Sequence, residues 1–256
     1  MNDLPRPFAR NGPEPSDRTV IARTPVWTFL PPAEPVGAVL FLHHRTGLDD
    51  FTADITARLL GLGCAVTVPE LFAGQPPGLA PEERKSLLRD EELLEVMAGG
   101  TRLLRRTGRD VAALGFCMGG RLAFLAAVAG TGVDRSCCFY GGALDQGWHH
   151  AVSPLERTSA GAAPVQFHRG SRDTNPDAGR LARAVQAFDE VGGYLEACTY
   201  AGAGHAFANR FAADRHHPVV AARAWDRATA FLGLAAPVEP RRQPAGAAAG
   251  RPEDPR

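Results

Sequence analysis

Seven short apolar runs punctuate the chain: VWTFL (26–30), AVLFLHH (38–44), CAVTVPEL (64–71), VAALGF (111–116), SCCFYGG (136–142), PVQFHRG (164–170) and LEACTYAG (195–202). Each is bounded by Gly, Pro or Asp and has strand length. Between them lie longer stretches, 49–63, 81–108, 118–130, 176–193 and 218–234, whose apolar residues recur every three to four positions as on one face of a helix. Strands alternating with helices predict a mostly parallel, doubly wound α/β sheet with helices on both faces, spanning residues 20–234. Residues 1–19 and 235–256, rich in Pro, Ala, Gly and charge without periodicity, read as flexible tails. No insertion is long enough for a large cap domain. The irregular stretch 143–163 is expected to form a lid or pocket wall.

Composition narrows the function. The 256 residues carry 28 basic and 28 acidic side chains, and a net charge of zero argues against a nucleic-acid or anionic-membrane partner. A small-molecule substrate becomes the default, handled by a monomer or weak homodimer. No apolar run is long enough to span a bilayer, and MNDLPRPFARNGPEP lacks the apolar core of a signal peptide, so a cytoplasmic location is expected. Five cysteines, an odd number with no C-x-x-C pair, are expected to be free thiols. Lys85 is the sole lysine and sits in the charged, solvated-looking PEERKSLLRDEE, which argues against Schiff-base and Ser-Lys mechanisms.

In an open parallel sheet, ligands bind beyond the carboxyl ends of the strands, so polar residues just after strands are the candidates for chemistry. Gly115-Phe116-Cys117-Met118-Gly119 has the G-x-S-x-G pattern of a strand-to-helix nucleophile elbow, with cysteine in place of serine. Asp173 follows the next-to-last strand candidate in FHRGSRDTNPD, and His205 follows the last in YAGAGHAF. The order Cys117, Asp173, His205 is that of an α/β-hydrolase triad: nucleophile, orienting acid and proton carrier. Cys64, Cys137, Cys138 and Cys198 lie within strands and read as small core residues. Three His-His pairs (43–44, 149–150, 216–217) each offer at most one ligand per face and lack zinc-site spacing, so neither metal nor cofactor is expected.

At these residues the sequence resembles the dienelactone hydrolase (carboxymethylenebutenolidase) family of cap-free α/β-hydrolases. GFCMGG resembles its nucleophile elbow, FHRGSRD its acid turn, AGAGHAFAN its histidine loop and VPELFAG its segment after the third strand candidate; the likeness spans about residues 20–232. The resemblance implies a Cys-Asp-His triad that cleaves an ester or enol-lactone carbonyl through a thioester. It also implies an oxyanion hole made by the backbone N–H groups of Met118 and Arg45. Dienelactone-cleaving members carry a glutamate one residue before that second donor, where this chain has His44, making His44 a candidate activator of the nucleophile. They also carry a serine directly after the histidine and an arginine four residues on, where this chain has Ala206 and Asn209, with Arg210 displaced by one. Arg84, Trp148, Phe207 and Arg210 are the candidate substrate contacts.

The expected reaction is hydrolysis of an activated ester, enol-lactone or thioester. A lactone-forming, isomerising or cyclising step with the same Cys-His pair is the alternative that His44 raises. A non-enzymatic binding or redox-sensing protein is a further one.

Overall fold

The computed structural model describes residues 7–8 and 12–234; the expected C-terminal tail and residues 1–6 and 9–11 lie outside the described residues. The chain runs β1 (Asp17–Ile21), β2 (Thr24–Phe29), β3 (Gly37–Leu42), α1 (Asp50–Gly61), β4 (Cys64–Pro69), α2 (Pro81–Ser86), α3 (Asp90–Arg105), β5 (Val111–Phe116), α4 (Met118–Val128), β6 (Arg135–Phe139), β7 (Val165–Gly170), α5 (Ala178–Glu190), β8 (Leu195–Tyr200) and α6 (Pro218–Phe231). The eight strands form one sheet in the order β1-β2-β4-β3-β5-β6-β7-β8. β2 runs antiparallel to both of its neighbours, β1 and β4, and the remaining pairs are parallel.

Strands β3, β4, β5 and β7 are buried along their whole length. β3, β4 and β5 accordingly read as nearly continuous apolar runs rather than alternating ones, whereas β7 buries the polar Gln166, His168 and Arg169. One face packs on α3, α4 and α5 through residues such as Met97, Phe124 and Phe188. The other packs on α1 and α6 through Phe51, Leu59, Val220 and Ala224. Helix α4 is buried at every position, which explains why its sequence shows little amphipathic patterning.

Two expectations change at the edges. The first strand begins at Asp17, inside the expected tail, and turns into β2 through Ala22 and Arg23, both at positive φ (46° and 65°). Without Gly or Asn at those positions the hairpin leaves no turn signature. Phe8, also in that tail, is buried and stacks on Phe29 with ring centroids 5.7 Å apart. The expected helix 81–108 divides into α2 and α3, and the short α2 buries none of its residues.

From β3 the chain winds outward to β4, then crosses back over β3 to β5. The carboxyl ends of β3 and β5 thus flank the point where the winding reverses, the usual place for a ligand crevice in such sheets.

Candidate active site

Cys117 sits between β5 and α4 with φ 55° and ψ −116°, a strained conformation for a residue with a Cβ. Backbone bonds hold it there: its N–H donates to Phe139 O at 2.9 Å and its carbonyl accepts from Arg121 N–H at 3.1 Å. The surrounding glycines permit the close approach. A Cβ on Gly115 would lie 1.9 Å from Gly119 O, and one on Gly119 would lie 1.9 Å from Leu42 O. The elbow and the end of β3 are therefore in backbone contact, bringing the His44–Gly47 turn beside the sulfur.

Asp173 and His205 come from the turns after β7 and β8. Asp173 is 3% exposed; one carboxylate oxygen accepts Asn175 N–H at 2.9 Å and the other lies 2.9 Å from His205 Nδ1. Buried Arg169 braces this turn by donating to the carbonyls of Asp173 and Pro176 at 2.7 and 2.8 Å. With Nδ1 engaged, Nε2 is the ring nitrogen left for the sulfur.

Titration follows from the contacts. Burial opposes ionisation of Cys117, but the adjoining His205, the Met118 N–H and the Arg45 charge outweigh it and hold the thiol below its ordinary value. Burial likewise opposes protonation of His205, yet Asp173 and the neighbouring thiol raise it to about 9. The other four cysteines lie buried in strands and move the opposite way: burial pushes Cys64 and Cys198 up to about 11, Cys138 to about 12, and Cys137 well above the usual thiol range. Cys117 stands apart as the readily ionised thiol.

These groups open into a cavity of about 600 Å³ that includes His44, Arg45, Cys117, Met118, Asp173 and His205 in its wall, a volume suited to a small molecule. Of the candidate substrate contacts, Trp148 lines it and three do not. Arg84 lies over the Phe72 ring, 5.6 Å from its centroid. Phe207 is fully buried behind Tyr140, with ring centroids 5.2 Å apart. Arg210 turns away to pair with Asp54 at 2.9 Å. His44 lines the cavity, but its Nε2 is taken by Asp49 at 2.8 Å rather than by the thiol.

Lys85, Arg121, Tyr140 and Arg215 also line the cavity and are not among the site residues expected from the sequence. Lys85 stands at the cavity wall, paired with Glu82, rather than in a wholly solvated stretch. Tyr140 follows β6 at φ 41°, and its ring lies 5.0 Å from that of His205. Its signal was present as a polar ring at a strand end in FYGG. Arg121 is 1% exposed and pairs bidentately with fully buried Asp90, both contacts 2.7 Å. Nothing in the spacing of residues 31 apart announces that pair.

Sheet order, elbow and the Asp173–His205 contact define the class as an α/β-hydrolase. The chain belongs to the dienelactone hydrolase family, whose sequence profile matches residues 25–235, and it is a hydrolase of small-molecule ester or lactone substrates. A Bradyrhizobium protein named "Probable 2-oxo-3-(5-oxofuran-2-ylidene)propanoate lactonase" is 30% identical over 76% of this chain and 82% of its own. A Pseudomonas putida carboxymethylenebutenolidase is 27% identical over 79% of this chain and 87% of its own. The fold is also that of a dienelactone hydrolase-like promiscuous phosphotriesterase from metagenomic libraries, with TM-score 0.69, 17% identity, and coverage of 82% of this chain and 92% of that one. Among the described residues, no helix is long and apolar enough to cross a membrane.

Proposed function

We propose that the protein hydrolyses an activated carbonyl, an enol-lactone, ester or thioester, through an acyl-enzyme on Cys117. The observation that carries this reading is the geometry of the elbow: Cys117 stands at a strained strand-to-helix turn in the cavity wall with His205, whose Nδ1 lies 2.9 Å from buried Asp173, an arrangement that lowers the thiol, raises the imidazole and favours a thiolate–imidazolium pair. The thiolate attacks the carbonyl carbon and a C–S bond forms. The C–O (or C–S) bond to the leaving group breaks as His205 gives that group its proton. Water then loses a proton to His205 and attacks the thioester, releasing the acid and restoring the thiol pair. Asp173 orients His205 throughout, and the N–H groups of Met118 and Arg45 hold the oxyanion. Thiolates are good leaving groups, so this site favours enolate and thiolate esters over plain alkyl esters.

The cavity wall suits an acidic substrate. Arg45 and Lys85 share the single carboxylate of Glu82, leaving one positive charge in excess, and both relatives named above carry acids in their substrates' names. Lys85→Met is expected to raise KM for a carboxylated enol-lactone up to about fivefold, with kcat unchanged. An equal rise for the neutral methyl ester would remove the carboxylate from this account.

Turnover in oxygen-18 water tests the reaction itself. One label per molecule of acid product is expected; unlabelled product would point instead to isomerisation or cyclisation. With His44 Nε2 engaged by Asp49, the feature that raised that alternative is committed to another partner.

A pH profile tests the relay. Alkylation of Cys117 by iodoacetamide follows the thiolate, so its rate should stay on a plateau to below the ordinary thiol pKa and fall only as pH drops through the lowered value. Asp173→Asn removes a contact that raises His205, weakens the imidazolium and moves the inflection to higher pH. A shift of one pH unit corresponds to about 1.4 kcal/mol, so on the falling limb below both inflections the rate should drop about tenfold while the high-pH plateau is unchanged. An inflection that does not move would take Asp173 out of the relay.

A further inference from the structure

The turn between β3 and α1 is held by one carboxylate. Asp49 caps α1 by accepting Thr52 N–H at 3.1 Å. The same side chain lies 2.8 and 2.9 Å from His44 Nε2 and accepts the Thr46 hydroxyl at 2.6 Å. Thr52 returns a hydroxyl bond to Gly47 O at 2.9 Å, and Gly47 N–H closes onto His44 O at 3.1 Å. His44, Thr46 and Thr52 are thereby tied to Asp49 directly, and Gly47 through Thr52. Between the tied positions stands Arg45, whose backbone N–H donates to no acceptor among the described residues. An unspent N–H on a cavity wall, on a turn laced this tightly, is a preorganised donor.

We infer that Asp49 and His44 form a positioning pair that fixes the His44–Gly47 turn so that the Arg45 N–H meets the oxyanion. His44 acts through Arg45 and not on the sulfur. Its Nε2 is spent on Asp49 and Thr46, and its ring edge packs on Phe51 with centroids 5.1 Å apart. The groups that lower the thiol are His205, the Met118 N–H and Arg45. A carboxylate is a stronger acceptor than a neutral group, and here it does two tasks: it caps the helix and it sets the turn.

The inference rests on the acyl-enzyme reading, and two rates on Cys117 separate them. Alkylation by iodoacetamide needs the thiolate but no oxyanion hole; acylation by p-nitrophenyl acetate needs both. In His44→Leu the acylation rate should fall about a hundredfold, the cost of one misplaced oxyanion donor, through kcat rather than KM, while alkylation is unchanged. His44→Gln, which keeps an N–H for Asp49, should recover most of the loss. The unchanged alkylation rate also reports that the elbow is folded. Parallel loss of both rates would make His44 an activator of the thiol and overturn the inference, as would no loss of either. A wild-type chain that is alkylated but never acylated would overturn the acyl-enzyme reading and this inference with it.

Discussion

Cys117→Ala should abolish turnover of an activated ester or enol-lactone, by at least about 10⁴-fold in kcat, leaving only what the oxyanion hole and binding supply. Removing one member of a nucleophile–base pair costs about as much as removing both, so Cys117→Ala combined with His205→Ala should be scarcely worse than either alone. On the proposed mechanism the sulfur also sets substrate preference. Cys117→Ser places a hydroxyl of much higher pKa on the same strained elbow, where His205 must act as general base in place of pairing with a preformed anion. Its activity should fall most on thioesters and enol-lactones, for which the thiolate is suited. Initial rates of the purified variants check both points. Full activity in Cys117→Ala would place the chemistry elsewhere in the cavity.

The largest effect on stability is expected at Asp90. Its carboxylate and Arg121 meet with almost no access to water, and Arg121 also donates to the carbonyls of Ala143 and Gln146 at 3.2 and 2.7 Å. Trp148 closes the group: its N–H donates to Asp90 at 2.9 Å, and the Arg121 guanidinium lies over its ring, 3.9 Å from the centroid. The pair thus ties the 143–148 wall of the cavity to α3 and α4. Asp90→Ala leaves a buried, unpaired guanidinium, at a cost of about 3–5 kcal/mol. For a chain of this size that corresponds to a fall in Tm of about 6–20 °C. The double variant Asp90→Leu with Arg121→Met removes both charges and should regain much of the loss, but without the anchored wall its KM should remain raised. Thermal unfolding and KM for the three proteins check this, and a loss under about 1 kcal/mol in Asp90→Ala would show that water or another group compensates Arg121.

Much of the candidate site was legible in the chain because its side chains lie at the ends of strands. β5 announces itself as an apolar run, β7 and β8 as strand-length segments bounded by Gly and Pro, and Cys117, Asp173 and His205 stand just beyond them. The glycines around Cys117 encode backbone contacts, a local requirement that leaves a local pattern. What escaped depends on long-range packing. Arg121 looks like an ordinary helical arginine until α4 is seen to be buried on all sides, which only the sheet and α3 together decide. Lys85 reaches the cavity wall from α2, a separate short helix where the sequence pattern predicts one longer helix over 81–108. Arg84, Phe207 and Arg210 were near the right segments, but rotation about a helix or a loop turned them away. His44 was read against a family glutamate beside the thiol; Asp49, five residues on, claims its ring instead.

The central claim is a covalent acyl intermediate on Cys117, and intact-mass spectrometry of the protein quenched within the first turnovers of p-nitrophenyl acetate tests it most directly. The account predicts a single acyl adduct on the wild-type chain, located by peptide mapping to the elbow peptide containing Cys117, and none on Cys117→Ala. An adduct of equal yield on both proteins would contradict it.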